Sequence, residues 1–161
     1  MFVTNEQYIA LRERYDDYSK SGFPGLDAGL QQVLEIINTV DGLISLWSCS
    51  GHVTEGQETN LIHMTNANVI LAVRDQHAFD RLYRIYENML SVMSNHYQHM
   101  VNLKLSRLVW PMSRDSDDIR IWYPTVELSV IYYIIDPATE NETQRTYIDL
   151  FVYAIKKELF L

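Results

Sequence analysis

A single cysteine, Cys49, stands in the whole chain. No internal disulfide can form, and a reducing, cytoplasmic setting is the simplest expectation. Bases are also scarce: 13 Lys and Arg against 21 Asp and Glu leave a formal net charge of −8. A surface of that sign repels polyanions, which argues against extended nucleic acid as a partner but leaves room for a small anion held by local arginines. The acids are scattered rather than massed, so DNA mimicry has no segment to rest on. No apolar run approaches the roughly 18–20 residues of a membrane span, and no membrane partner is expected. Met1-Phe2-Val3-Thr4-Asn5-Glu6 has neither the basic start nor the apolar core of a secretion signal. No glycine-rich phosphate loop and no Gly-x-Gly-x-x-Gly occurs, which removes the usual nucleotide-hydrolysing and dinucleotide sites. His52, His63, His77, His96 and His99 have no Cys-x-x-Cys or His-Glu-x-x-His spacing, so neither a metal site nor a cofactor is expected.

What is present suits a single domain, residues 1–161, with 47% hydrophobic and 21% charged residues. Thr4–Tyr18 reads as a helix capped by Thr4 or Asn5, with Tyr8, Leu11 and Tyr15 on one face. Ser19–Gly25 is a loop, and Leu26–Thr39 a second helix on Leu30, Val33, Leu34 and Ile37. Asp41-Gly42 turns the chain into a strand, Leu43–Ser48. His52–Thr65 is polar and uneven, an irregular loop or hairpin, before a strand at Asn68–Arg74. Gln76–Asn95 is a long helix carrying Phe79, Leu82, Tyr83, Tyr86, Leu90 and Met93. Val101–Trp110 reads as a strand, Pro111–Asp118 as a loop, and Ile119–Ile135 as strand-rich, with Pro124 marking a break or an edge. Thr139–Leu159 is the last helix, on Tyr147, Leu150, Phe151, Ala154 and Ile155. The order ααββαββα defines an α+β fold, helices layered on a mostly antiparallel sheet. Ile131, Tyr133 and Ile135 alternate with Val130, Tyr132 and Ile134, so both sheet faces are apolar there. Each needs cover, from helices or a second copy, which makes a homo-oligomer an expectation.

The chemistry concentrates at Ser48-Cys49-Ser50-Gly51-His52, where the strand Leu43–Trp47 runs into small polar residues. A strand ending this way offers backbone N–H groups, hydroxyls and a ring nitrogen to a ligand, positioned by a rigid sheet. Ser48 and Ser50 can donate to phosphate or carbonyl oxygens, Gly51 permits close backbone approach, and Trp47 offers a stacking face. Cys49 reads as a packed side chain. A nucleophilic cysteine needs a base beside it, and His52 lies an odd number of residues away, on the other face of a strand. No catalytic residue is assigned.

Tyr18-Ser19-Lys20-Ser21-Gly22, a helix ending Ile36-Ile37-Asn38, a short strand and Ser48-Cys49-Ser50-Gly51 follow one another in that order. This pattern resembles the wybutosine-synthesising tRNA methyltransferases, whose Lys-Gly segment, helix ending in Leu-Asn, strand and Ser-Cys-Ser-Gly-Arg it parallels. Asn68–Asp75 and the helix after it continue the likeness, which spans roughly residues 18–95. Small phage proteins with a Ser-Cys-x-Gly-His signature are similar too, which would place the chain in a host cytoplasm. The resemblance implies transfer of a methyl group from S-adenosylmethionine to a modified guanine, in a pocket shaped for a nucleotide-like molecule. His52 replaces the family's arginine, a titratable ring in place of a fixed charge.

Other groupings carry less. His52-Val53-Thr54 and His63-Met64-Thr65 repeat the His-x-Thr unit of two-histidine phosphoesterases, but with polar flanks instead of core strands. Arg74 closes a strand, while Arg107, Arg114 and Arg120 surround Trp110, with Trp122 and Tyr123 as further stacking candidates and Asp115, Asp117 and Asp118 close enough to neutralise them. The leading expectation is a binding protein that holds or sequesters a nucleotide-derived signalling molecule. Ser48, Ser50, Gly51 and His52 would bind polar groups, Trp47 or Trp110 would stack, and Arg74 and Arg107 would neutralise phosphate. The open alternatives are a wybutosine-type methyltransferase and a protein that blocks a host enzyme through its acidic, tyrosine-rich surface.

Overall fold

In the computed structural model the described residues are 1–27, 29–51, 63–93, 100–111 and 120–160. Four helices and a four-stranded antiparallel sheet make an α+β fold. The elements are α1 Asn5–Lys20, α2 Leu30–Ile37, β1 Leu43–Cys49, β2 His63–Val73, α3 Gln76–Val92, β3 Val101–Pro111, β4 Arg120–Ile134 and α4 Glu140–Leu159. A short 3-10 turn at Pro137–Thr139, absent from the sequence reading, leads into α4. No described helix is long and apolar enough to cross a membrane.

Thr4 caps α1 with a reciprocal capping box to Gln7. Asp75 caps α3 by accepting from the Ala78 N–H at 2.9 Å. The sheet order is β1-β2-β4-β3, so β1 and β3 are the edges. One face lies under α2, α3 and α4. Leu43, Val69, Leu71, Val126, Leu128, Val130 and Tyr132 are buried there against Val33, Ile37, Leu82, Ile85, Met89, Phe151 and Ile155. On the opposite face α1 covers only part of the sheet, packing Val3 and Leu11 on Ile44, Ala72 and Tyr123. β1 therefore has α1 on one side of its plane and α2 on the other.

The starts of α2 and β2 differ most from expectation. α2 starts at Leu30 rather than Leu26, after Gly29 in the left-handed region (φ +85°). β2 begins at His63, inside the stretch read as an irregular loop. Residues 63–67 pair with Ile134–Val130 of β4, and this distant partner, not local alternation, makes them a strand. Of the two roles expected of Pro124, a break or an edge, the strand shows the second, since β4 runs unbroken through it. The pairing of β2 with β4 ends at Val126, so at Pro124 only β3 flanks the strand and a missing N–H is tolerated. Of the face expected for α3, Leu82 is buried and Phe79, Tyr86, Leu90 and Met93 pack against the core, while Tyr83 is exposed and Ala78, Ile85 and Met89 complete the buried stripe.

Candidate functional site

A cavity of about 500 Å³ opens along the outer edge of β1. α1 supplies Leu11, Arg14, Tyr15 and Tyr18, the following loop supplies Pro24 to Asp27, α2 supplies Leu34, and β1 supplies Ser45 to Cys49. This volume falls in the range of small-molecule sites, about 300–1,000 Å³.

The walls are held by local bonds. Tyr18 Oη donates to Pro24 O at 3.2 Å, and Tyr15 Oη donates to Leu34 O at 3.3 Å. Burial pushes both phenols above their ordinary pKa, opposed at Tyr15 by the Arg12 charge, so both stay protonated donors. Beneath them Phe23 is buried with φ +53°, a left-handed conformation rare for a bulky residue. The Tyr18 ring meets it edge-on at 5.3 Å and Tyr15 at 6.1 Å. Packing thus holds the loop in a conformation that costs roughly 1–2 kcal/mol in isolation.

The Ser48–Gly51 motif divides at this cavity. Trp47, 57% exposed, Ser48 and Cys49 line it. Ser50 and Gly51 are instead the buried corner that ends β1. Asp27 Oδ2 accepts from both the Ser50 N–H and the Ser50 hydroxyl, each at 2.9 Å. Tyr132 Oη donates to Ser50 O, and Gln144 Nε2 donates to Gly51 O. Gly51 has φ +83°, and an added Cβ would stand 2.6 Å from Tyr132 Oη and 2.8 Å from Thr65 Oγ1. The expectation that Ser50 and Gly51 bind ligand polar groups thus meets a corner whose groups are spent on Asp27, Tyr132 and Gln144. Cys49 Sγ accepts from the Gly51 N–H at 3.3 Å, an internal contact.

Arg74 and Arg107 are not brought to the cavity. Arg74 forms a bidentate pair with Asp41 (3.0 and 2.8 Å), contacts Asp75 at 2.8 Å, and lies 5.2 Å from the Tyr8 ring centre. These bonds clamp the end of β2 to the turn before β1; Arg74 holds the Asp41 carboxyl below its usual range, and at Asp75 the Ala78 N–H and then Arg74 do the same. Arg107 is exposed on β3, the far edge strand, and the backbone of Trp110 lies on the same strand. Three interstrand spacings, about 14 Å, separate that edge from β1. Trp122 is exposed on β4 and Tyr123 is buried under α1. His52, the His52-Val53-Thr54 unit, His96, His99, Arg114 and Asp115 to Asp118 lie outside the described residues. His63-Met64-Thr65 does lie in a strand, β2. Among the described residues no group of three or more His, Cys, Asp or Glu could hold a metal ion.

Sequence reasoning missed Arg14, Tyr18 and Asp27 as site residues. Leu11, Arg14, Tyr15 and Tyr18 recur at 3, 4 and 7, a stripe that a wider reading of the first helix would have found. Asp27 carries no such mark, because its partner Ser50 is distant in sequence.

No family model matches the chain, and no curated protein matches it. Among solved structures, the PH1069 protein from Pyrococcus horikoshii is similar at 10% identity, with 95% of this chain and 92% of that chain covered and a TM-score of 0.41.

Proposed function

We propose that this chain binds a nucleotide-derived small molecule in the cavity beside β1, and holds it rather than transforming it. One observation carries the reading: a space of about 500 Å³ whose walls combine Tyr15, Tyr18 and Trp47 with the polar Arg14, Asp27 and Ser48. Aromatic rings suit a base or nicotinamide face, and a guanidinium suits phosphate. Arg14 takes the role that Arg74 and Arg107 were expected to fill. Cys49, the thiol of the lining, makes its described contact to a backbone N–H. Sequestration of a host signalling nucleotide by a phage-like protein fits a pocket of this chemistry.

Calorimetry against ADP-ribose, cyclic dinucleotides and S-adenosylmethionine tests the reading. At least one ligand should bind, and Trp47→Ala should weaken it about tenfold, the scale of one lost stacking contact. Its Tm should barely move, because the Trp47 side chain is largely exposed. No binding across the panel overturns the proposal. Methyl transfer from S-adenosylmethionine to a nucleobase would replace it with the methyltransferase reading.

A further inference from the structure

Among the described residues β1 is a terminal strand, and no described strand pairs with the main-chain groups on its outer side. Most are plugged by other elements. Leu43 N–H donates to Val40 O at 3.1 Å and Leu43 O accepts from Arg12 Nη2 at 3.0 Å. Ser45 N–H donates to Asn38 Oδ1 at 3.0 Å, and Ser50 N–H to Asp27 Oδ2 at 2.9 Å. These bonds show that Leu43, Ser45 and Ser50 turn their main-chain groups outward. A bulge interrupts the register between Ser45 and Trp47, after which Trp47, Ser48 and Cys49 face Ile70, Val69 and Asn68. Residues of an antiparallel pair alternate between inward and outward groups. With Ser50 outward, Cys49 is inward and Ser48 outward. Ser48 is therefore the edge position that opens on the cavity, its N–H and C=O side by side between the plugs at Ser45 and Ser50.

Resting on the function proposed above, we infer that the main chain of Ser48 reads the ligand's base, and that the base is adenine. An adenine ring in the plane of the sheet would donate its N6 amino hydrogen to Ser48 O and accept the Ser48 N–H at N1, as an added strand would. Tyr15, Tyr18, Leu26 and Leu34 line the same cavity and give the ring aromatic and apolar neighbours. This lining and the polar Ser48 edge together suit a ring with apolar faces and a polar edge. The bulge sets Ser48 outward, the re-aiming that bulges beside binding sites provide.

The test is a ¹H–¹⁵N NMR titration of the intact chain with adenosine and with purine riboside, which lacks the 6-amino group. The Ser48 amide should shift saturably with adenosine, and purine riboside should bind about tenfold more weakly. Ser48→Pro, which removes an N–H pointing away from the β1–β2 ladder, should weaken adenosine at least tenfold. If adenosine binds but the Ser48 amide stays still and purine riboside binds equally well, this inference is overturned and the pocket reading stands. If neither nucleoside nor any ligand of the calorimetric panel binds, both fall. The amide shift of the unmodified chain decides the matter even if Ser48→Pro fails to fold.

Discussion

Ser50 and Gly51 show how a residue can matter to a site without touching its ligand. Three elements bond to this corner, and Gly51 there has both a left-handed φ and no room for a side chain. Gly51→Ala should therefore cost about 2–4 kcal/mol, combining backbone strain with a clash. For a chain of this size that lowers Tm by roughly 5–15 °C. Gly22→Ala, with φ +76° and nothing within 4 Å of the added Cβ, should cost only about 1 kcal/mol. Equal losses in thermal melts of the two would contradict the crowding. Tyr132 supports the same corner with a buried phenol whose pKa lies far above its ordinary 10.0, burial being the main cause and the neighbouring Cys49 and then Glu140 the next. The folded state keeps this proton while the unfolded chain releases it, so the stabilising contribution is complete below about pH 10 and falls as pH rises past it. Tyr132→Phe should cost about 1–2 kcal/mol at neutral pH by stripping Ser50 O of its donor. It should also flatten the alkaline loss, which urea unfolding at about pH 8 and pH 11 would measure. Tyr15, Tyr18 and Tyr123 shift in the same direction and leave a residual slope. The sequence marked this pentapeptide but not its division. The bonds from Asp27 and Tyr132 reach across 23 and 82 positions, a separation no local pattern encodes.

Among the elements, β1 depends on its neighbours for the protection that an edge strand lacks. Asn38, buried just beyond α2, donates to Leu34 O and Ser45 Oγ, each at 2.7 Å, and accepts from the Ser45 N–H. Asn38→Ala should cost about 2–3 kcal/mol, since it leaves buried backbone groups unpaired. It should also speed hydrogen exchange at Ser45 while leaving exchange at Val126 and Leu128, in the sheet centre, slower than at Ser45. Uniform acceleration across the sheet would show that Asn38 acts on global stability rather than on the edge. The elements themselves were largely legible in the sequence. Leu30, Val33, Leu34 and Ile37 are buried at the expected spacing, and β1, β3 and α4 fall within a residue of their expected ends. Periodicity failed where a strand face is polar. Asn66 and Asn68 occupy the face of β2 turned from the helices, so its first turn-like residues concealed a strand paired with β4. The same blindness to distant pairing hid the role of α1, which walls the cavity as well as covering the sheet.

At the scale of the whole molecule, charge and uncovered apolar surface act against each other. Val130, Tyr132 and Ile134 are buried beneath the helices, but on the other face Tyr133 and its register partner Met64 are 45% and 68% exposed, and Ile135 beyond the strand is 75% exposed. α1 covers Ile44, Ala72 and Tyr123 and does not reach these residues. A net charge of −8 keeps copies apart near neutrality. That repulsion vanishes as pH approaches the isoelectric point near 5.0, while the apolar surface is unchanged. Self-association should therefore rise steeply between about pH 7 and pH 5, visible as turbidity or as a growing sedimentation coefficient. Met64→Glu combined with Tyr133→Glu puts charge on the exposed patch at little cost to the core. The double variant should stay dispersed at a pH where the parent associates, once its own lower isoelectric point is matched by comparing the two at equal net charge. Parallel association of both at equal charge would show that the patch plays no part, and that loss of repulsion alone drives the contact.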